Sequence, residues 1–247
     1  MKSRNLNSQR IKYVYTFIFL TFLCFSCVAQ TVDKTANENT TTFENNTKLP
    51  DSPCSFSGSF NQTKKVAGLN KNLESSGSFF YHCQDGVIWS TTSPINETLI
   101  FSRAGNNTQI KEQKISKLKG RQGKLLGKLL NTMMSGNQSE IMQQFSLNTI
   151  DAKSNQFELL PKKKSLKRAI KEIQLTFTKT NDSELISELD QINIQIRDRK
   201  DQLTSIESTQ KNIFDTNDID SIKTRHNHCL TSGITTLACD QLYLQAE

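Results

Sequence analysis

The segment Cys54-Ser-Phe-Ser-Gly-Ser-Phe-Asn61, followed by Gly77-Ser-Phe-Phe-Tyr81 and Gly86-Val-Ile-Trp-Ser90, decides the fold of this chain. In the first piece, Cys, Phe, Gly and Phe alternate with polar residues, which predicts a strand with one apolar and one wet face. Later pieces repeat the pattern between Gly, Pro and Asn breaks. The predicted antiparallel strands are 54–65, 76–84, 86–92, 97–103 and 108–115.

The period of the apolar residues changes after residue 124. The spacing of Leu125, Leu126, Leu129, Leu130, Met133 and Met134 predicts an amphipathic helix that ends at Gly136. A second helical segment is expected at Glu140–Gln144. Strands then resume at 145–150, 157–160, 173–177, 192–197 and 203–207. These elements predict one β-rich domain over residues 54–220.

The first 53 residues differ from this domain in composition. Basic residues precede the apolar run Tyr13–Phe25, and small residues follow it at a possible cleavage site. This order predicts a signal peptide over residues 1–29, cleaved after Ala29. The alternative is a lipoprotein signal that acylates Cys27, which the residues just before it suit less well. Residues 30–53 are rich in Thr, Asn and Glu, so we expect a disordered polar linker. Export to the periplasm follows from the signal peptide.

Composition and motifs exclude several functions. Four of the 31 basic residues and none of the 24 acidic ones lie in segment 1–29, so cleavage lowers the net charge from +7 to +3. No basic patch interleaved with aromatic residues is visible, and nucleic-acid binding is not expected. Nucleophile elbows, phosphate loops and metalloprotease motifs are missing, so we expect neither enzymatic activity nor a cofactor. The charged run 162–171 predicts a solvated turn, with docking on an anionic partner as the alternative.

Four cysteines remain after cleavage, and an even number in an exported chain favours disulfides. If the first two strands form a hairpin turning near Gly68, antiparallel register sets Cys54 opposite Cys83 and Phe56 opposite Tyr81. A local bridge between Cys54 and Cys83 is therefore predicted.

The C-terminal extension, residues 221–247, holds the other pair. Cys229 and Cys239 are symmetric about Ile234, beside Gly233, which predicts a second local bridge. The alternative is a zinc or copper site formed by His226, His228 and Cys229.

The order of these elements resembles the LolA-like family of periplasmic outer-membrane lipoprotein carriers, whose first strands carry a phenylalanine and glutamine element and then a tryptophan and proline element. Here Phe60 and Gln62 stand in the first element, and Trp89 and Pro94 in the second. The resemblance implies a curved, incompletely closed antiparallel β-barrel with a helical lid. It implies a monomeric, non-enzymatic carrier that takes acylated lipoprotein or lipid cargo from an inner-membrane exporter to an outer-membrane acceptor.

The resemblance also implies a set of apolar side chains that face the cavity. They are Phe56, Phe60, Phe79, Tyr81, Trp89, Leu99, Phe101, Leu126, Leu129, Leu130 and Met133. Trp89 could instead be plain core, since large aromatic residues serve both uses. One departure concerns Cys83, because the carriers hold at that position an arginine that latches the lid. The alternative function is a secreted accessory protein of a lipid exporter, whose curved sheet displays a protein-binding face.

Overall fold

The computed structural model describes residues 49–50, 52–118, 121–151, 155–178, 191–214 and 221–243, with the backbone alone at 121–124 and 126. The chain divides into two units, Met1–Asn46 and Thr47–Glu247, and all of the described residues belong to the second. The predicted signal peptide and most of the predicted linker lie outside the described residues. Among the described helices, none combines the length and apolar character needed to cross a bilayer.

Eleven strands of the described chain form one antiparallel sheet. In chain order they are β1 (Ser55–Lys65), β2 (Leu73–His82), β3 (Gly86–Ser93), β4 (Glu97–Ser102), β5 (Asn107–Lys111), β6 (Lys114–Lys117), β7 (Phe145–Asp151), β8 (Gln156–Pro161), β9 (Ile170–Thr178), β10 (Gln191–Asp198) and β11 (Leu203–Ile213). Across the sheet the order is β6, β5, β4, β3, β2, β1, β11, β10, β9, β8, β7. The first strand therefore pairs with the last, while β6 and β7 are the edges of the described sheet. The predicted open antiparallel architecture is confirmed.

The hairpin of β1 and β2 has the predicted register. Phe56 lies opposite Tyr81 and Gly58 opposite Phe79. Just beyond them, Cys54 and Cys83 form a disulfide. This agreement shows that the alternation of apolar residues and the cysteine spacing together determined the pairing.

The predicted strand 108–115 is wrong in one respect, because it contains a turn. β5 and β6 are separate strands joined by Glu112 and Gln113, whose φ values are 50° and 62°. Two consecutive positive φ values are typical of a type I′ hairpin turn, for which Asn-Gly is the usual sequence signal. Glu-Gln carries no such signal, so the sequence predicted one continuous strand in place of two strands and a turn.

Five helices complete the described structure. They are α1 (Arg121–Ser135), α2 (Gln138–Met142), α3 (Lys164–Lys167), α4 (Ile222–Thr231) and α5 (Thr236–Tyr243). The first ends before Gly136, as predicted, because that glycine adopts a φ of 58°. The second begins two residues earlier than predicted, since the Asn137 side chain accepts hydrogen bonds from the backbone N–H groups of Ser139 and Glu140.

Helix α3 lies inside the charged run that predicts a solvated turn. Its lysines are exposed, but Leu166 between them is 1% exposed and belongs to the core. One buried leucine therefore attaches the charged run to the core, and the prediction of a solvated turn missed it.

The two faces of the sheet carry separate apolar clusters. Successive residues of a strand point to opposite faces, so Phe79 and Phe80 enter different clusters. The inner cluster, under α1, contains the buried residues Leu49, Phe56, Phe60, Phe79, Tyr81, Val87, Trp89, Leu99, Phe101, Leu129, Met134, Ile141, Phe145, Phe157, Leu159, Leu166, Ile170, Ile173, Leu175, Phe177, Ile192, Ile194 and Ile206. The outer cluster contains Phe80, Ile88, Ile100, Ile110, Cys229, Ile234, Ala238, Cys239, Leu242 and Tyr243. The C-terminal extension thus packs on the sheet as a hairpin of α4 and α5.

Leu49 shows that core contacts begin within the segment predicted as linker. Its side chain is 2% exposed and packs in the inner cluster. Its backbone N–H lies 3.4 Å from the side-chain oxygen Oε1 of Gln138 in α2. The chain before β1 therefore contacts the helices that cover the sheet.

Replacing Glu112 with Asn and Gln113 with Gly should stabilise the protein. Both residues hold positive φ values, which Asn and Gly adopt at lower cost. We expect the free energy of unfolding, measured by urea denaturation, to rise by about 1 kcal/mol.

The matched control is Ser116→Gly in β6, outside the turn. There glycine should lower stability by about 0.5–1 kcal/mol, since it only frees the unfolded chain. A loss of stability in the double turn variant would contradict the assignment of the turn.

Candidate functional site

Aromatic rings form the centre of the inner cluster. Phe60 stacks on Trp89 with ring centroids 3.9 Å apart, and Phe79 lies 6.0 Å from Trp89 on centroids. Phe56 contacts Phe79 at 5.9 Å and Tyr81 at 5.2 Å. Each ring comes from the same face of β1, β2 or β3, as period-two alternation requires. The strands thus present one continuous aromatic surface to α1.

The structure brings ten of the eleven predicted site side chains to this surface. The buried ones are Phe56, Phe60, Phe79, Tyr81, Trp89, Leu99, Phe101 and Leu129. Leu130 and Met133 are half-buried and pack against the cluster, while the side chain of Leu126 lies outside the described residues. In this conformation the ten act as core, Trp89 included, with seven of them on the sheet and three on α1.

Helix α1 approaches the sheet closely at Gly127. A Cβ atom added there would lie 2.8 Å from Cδ1 of Phe101 and 2.8 Å from Nδ2 of Asn107, so a larger residue would displace one of these side chains or the helix. One turn later, the side-chain amide Nδ2 of Asn131 donates to the backbone oxygens of Phe101 and Gly127, each at 3.0 Å. Gly127 and the side-chain amide of Asn131 therefore position the helix on β4.

A second polar contact joins the sheet to α2. Arg103 follows β4, and its Nη1 donates to the carboxylate of Glu140 at 3.2 and 3.3 Å. Its Nη2 donates to the hydroxyl of Tyr81 at 3.2 Å. Arg103 therefore links three elements, namely β2, β4 and α2.

This contact also shows that the sheet is curved. Helix α2 packs on β7, and β7 is eight strand intervals from β4 in the sheet order. In a flat sheet those strands would be about 38 Å apart, at about 4.8 Å per interval. The ion pair of Arg103 and Glu140 closes that gap, because α1 and α2 bridge the two ends of a sheet that bends toward them.

Sequence reasoning missed Arg103 and Glu140. The resemblance directed attention to position 83, where a cysteine replaces the arginine that latches the lid. The structure instead places an arginine 20 positions later in the chain, still against Tyr81. A charged residue directly after the apolar run Leu99–Phe101 was visible, but no spacing rule connects it to a helix 37 residues away.

The segment before β1 lies against the junction of α1 and α2. A pocket of about 350 Å³ opens there, lined by Leu49, Ser52, Ser135, Gly136, Asn137, Gln138 and Ser139. A Cβ atom at Gly136 would lie 2.4 Å from Oγ of Ser52, so the chain passes tightly over the helix end. The lining is mostly hydroxyl and amide groups, which suits water better than an acyl chain.

The C-terminal hairpin is fixed by a disulfide and by polar contacts. Cys229 and Cys239 are bonded as predicted, which removes the thiolate that the alternative metal site requires. His226 Nε2 lies 2.8 Å from Oδ1 of Asp240, and the His228 ring stacks on Phe214 with centroids 4.5 Å apart.

A buried ionic network joins the hairpin to the turn between β2 and β3. Arg225 Nε lies 2.9 Å from Oδ2 of Asp85, and the same oxygen lies 2.7 Å from Nδ1 of His82. Arg225 Nη1 also donates to Oε1 of Gln84 at 3.0 Å. Because the side chains of His82, Asp85 and Arg225 are at most 10% exposed, solvent screens these contacts little.

Comparison with known proteins gives a family match and distant structural neighbours. The family model described as outer membrane lipoprotein carrier protein LolA matches residues 52–217. A LolA superfamily protein from Nitrosomonas europaea is 10% identical, with a TM-score of 0.39 over 70% of this chain and 92% of that one. A DUF1329 family protein from Desulfovibrio piger is 12% identical, with a TM-score of 0.32 over 64% and 85%. No curated protein matches the chain.

Tyrosine ionisation tests the burial of the two clusters. Tyr81 and Tyr243 are the tyrosines that remain after removal of residues 1–29, and burial raises the pKa of both phenols. We expect no tyrosinate absorbance from the folded protein at about pH 10, where exposed tyrosines are half ionised. In urea both should titrate near that value.

The raised pKa of these phenols also makes the stability of the protein depend on pH. Unfolded phenols lose their protons at lower pH than the folded ones do, so the free energy of unfolding should fall as the pH rises above about 10. Tyr81→Phe should remove part of that slope. A phenol that titrates normally in the folded protein would contradict the burial described above.

Proposed function

The chain belongs to the LolA family of outer membrane lipoprotein carriers, whose model matches residues 52–217, and we propose that it is a non-enzymatic periplasmic carrier of acyl chains. The cargo is the acylated part of lipoproteins, or a related lipid, received from an inner-membrane exporter and delivered toward an outer-membrane acceptor. The protein works as a monomer, because one curved sheet and its own helices enclose the cluster that would hold the cargo.

The observation that carries this proposal is the inner cluster. It draws side chains from nine strands of the sheet and from the helices α1, α2 and α3. An acyl chain gains about 0.8 kcal/mol for each methylene group that it buries. A dry aromatic and aliphatic surface of this extent can therefore hold a hydrocarbon chain without any specific polar contact.

Binding requires α1 to move. The side chains that would contact cargo are buried in the present conformation, so the cargo must replace the contacts that α1 makes. Met133 and Met134 lie on the covering face, and thioether side chains adapt to apolar surfaces of different shape. In the empty protein α1 thus packs as part of the core, and in the loaded protein it forms one wall of the cargo site.

The polar contacts that hold the helices are weak enough for this exchange. The side chains of Arg103 and Glu140 are 27% and 36% exposed, so their ion pair contributes about 0.2–1 kcal/mol. The hydrogen bond from Asn131 to the Phe101 carbonyl adds about 0.5–1.5 kcal/mol. A few buried methylene groups of a cargo chain offset both.

A second candidate function uses the same surface differently. Burial of the whole cluster by the chain's own side chains also suits an accessory protein of a lipid exporter, in which the curved sheet is only a scaffold. The two candidates differ in one measurable property, because only the carrier accepts a hydrocarbon chain next to Trp89.

Quenching of tryptophan fluorescence by dibromostearic acid tests the carrier. Trp89 is the single tryptophan of the chain and lies at the centre of the inner cluster, and bromine quenches a ring only at short range. We expect saturable quenching of Trp89, with little change when unbrominated stearic acid is used.

The matched control moves the reporter to the other face of the sheet. In a variant with Trp89→Phe and Phe80→Trp, the indole enters the outer cluster beneath the C-terminal hairpin. Its fluorescence should resist quenching at the same concentrations. Equal quenching in both proteins would refute binding under α1, and no quenching in either would favour the accessory role.

Loosening the contact of α2 should strengthen binding. Glu140→Gln removes the charge that pairs with Arg103, which destabilises the closed, empty state but not the loaded one. We expect the dissociation constant of dibromostearic acid to fall up to about fivefold, the equivalent of 1 kcal/mol.

Glu172→Gln is the matched control, because Glu172 pairs with Arg197 across β9 and β10 and is similarly exposed. That substitution breaks an ion pair within the sheet, so the dissociation constant should stay unchanged. A weaker affinity in Glu140→Gln would show that the pair does not oppose cargo entry.

A further inference from the structure

A buried histidine lies between the first disulfide and a carboxylate. His82 is fully buried, with Nε2 4.0 Å from Sγ of Cys54 and Nδ1 2.7 Å from Oδ2 of Asp85. The backbone N–H of Gln84 also approaches Nδ1, at 3.3 Å, but the carboxylate contact is the shorter one. Nδ1 accepts the Gln84 N–H when it carries no proton; once protonated it has Asp85 as its acceptor, and in either state Nε2 faces the sulfur atom.

The two disulfides of the described residues have different environments. Cys229 and Cys239 are 0% exposed inside the outer cluster. Cys54 and Cys83 lie at the open end of the β1–β2 hairpin and are only half-buried, which makes them more exposed than the second pair. Thiol–disulfide exchange needs access to a sulfur atom and stabilisation of the departing thiolate. Only the first disulfide meets both conditions.

The C-terminal hairpin keeps the carboxylate in place. Arg225 of α4 pairs with Asp85 and also holds the neighbouring Gln84. Tyr243 of α5 lies against the same carboxylate, which together with burial raises the pKa of the phenol. These residues lie beyond the family match, which ends at residue 217. The hairpin therefore supplies groups that orient His82 through Asp85.

We propose that Cys54–Cys83 is an exchange-active disulfide, that its partner is a dithiol protein of the thioredoxin class, and that His82 assists the departure of Cys54. A thiolate of the dithiol attacks Sγ of Cys83, the bond between the two sulfur atoms breaks, and Cys54 leaves with the electron pair. Protonated His82 donates from Nε2 to that thiolate, while Asp85 stabilises the imidazolium.

The second thiol of the partner completes the exchange. It attacks the mixed disulfide and releases Cys83, which takes the proton of the attacking thiol, so the carrier gains two electrons and one proton, Cys54 stays a thiolate beside His82, and the dithiol becomes a disulfide. His82 and Asp85 act here as positioning and charge-stabilising residues for Cys54. Pairing of the Cys54 thiolate with an imidazolium favours the reduced state and makes this bond the easier one to reduce.

Graded reduction tests the proposal on the mature chain, residues 30–247. The protein is treated with dithiothreitol and alkylated with iodoacetamide, and each disulfide is followed by peptide mass. We expect Cys54–Cys83 to be reduced at least about ten times faster than Cys229–Cys239. Equal rates, or faster reduction of Cys229–Cys239, would overturn the proposal.

Thiolate absorbance then shows whether His82 stabilises the thiolate or whether the disulfide is reduced faster only because it is more exposed. In the selectively reduced protein, one thiol should ionise below about pH 7, and in His82→Asn both should ionise near the ordinary value of about 8.5. His226→Asn is the matched control, because His226 pairs with Asp240, away from Cys54. It should leave the low value unchanged.

Asp85→Asn provides a second variant in case His82→Asn does not fold, as judged by circular dichroism. Loss of the carboxylate should raise the pKa of the reactive thiol toward its ordinary value. Normal ionisation of both thiols in the unsubstituted protein, or an unchanged low value in Asp85→Asn, would refute the arrangement.

Discussion

Contact between helix α1 and the inner face of the sheet is the constraint on which the structure depends. Gly127 lets the helix lie against Phe101, and Leu129 and Met134 of the same helix pack in the inner cluster. Because β6 and β7 do not pair, the sheet cannot bury that face by closing on itself. The fold therefore relies on helices to cover this apolar face.

The outer face of the sheet is covered by a helical hairpin that is held by a disulfide. The hairpin of α4 and α5 packs on Phe80, Ile88 and Ile100, and a disulfide joins its two helices. Arg225 adds a buried ion pair with the turn between β2 and β3. The outer cover is thus held by a covalent bond and a buried ion pair, whereas among the described contacts the inner cover is held by packing and exposed polar contacts, which supports the proposal of a carrier that loads from the inner side.

The strands and the first hairpin could be predicted because their signals are local. Alternation around Phe56 and Phe60 and the spacing of Cys54 and Cys83 were enough for register, and apolar spacing located α1. The turn at Glu112 and Gln113 was missed because its residues carry no preference for positive φ. The contact of Arg103 with Glu140 was missed because tertiary structure alone brings the two together, through the curvature of the sheet.

The shared amide of Asn131 has a consequence for how the helix leaves the sheet. Its Nδ2 donates both to Phe101 of β4 and to the carbonyl of Gly127 within its own helix. If α1 leaves the sheet, as the proposed loading requires, the amide keeps its hydrogen bond to Gly127 within the helix and loses the one to the Phe101 carbonyl. That retained bond supports α1 as one intact helical unit during the proposed movement.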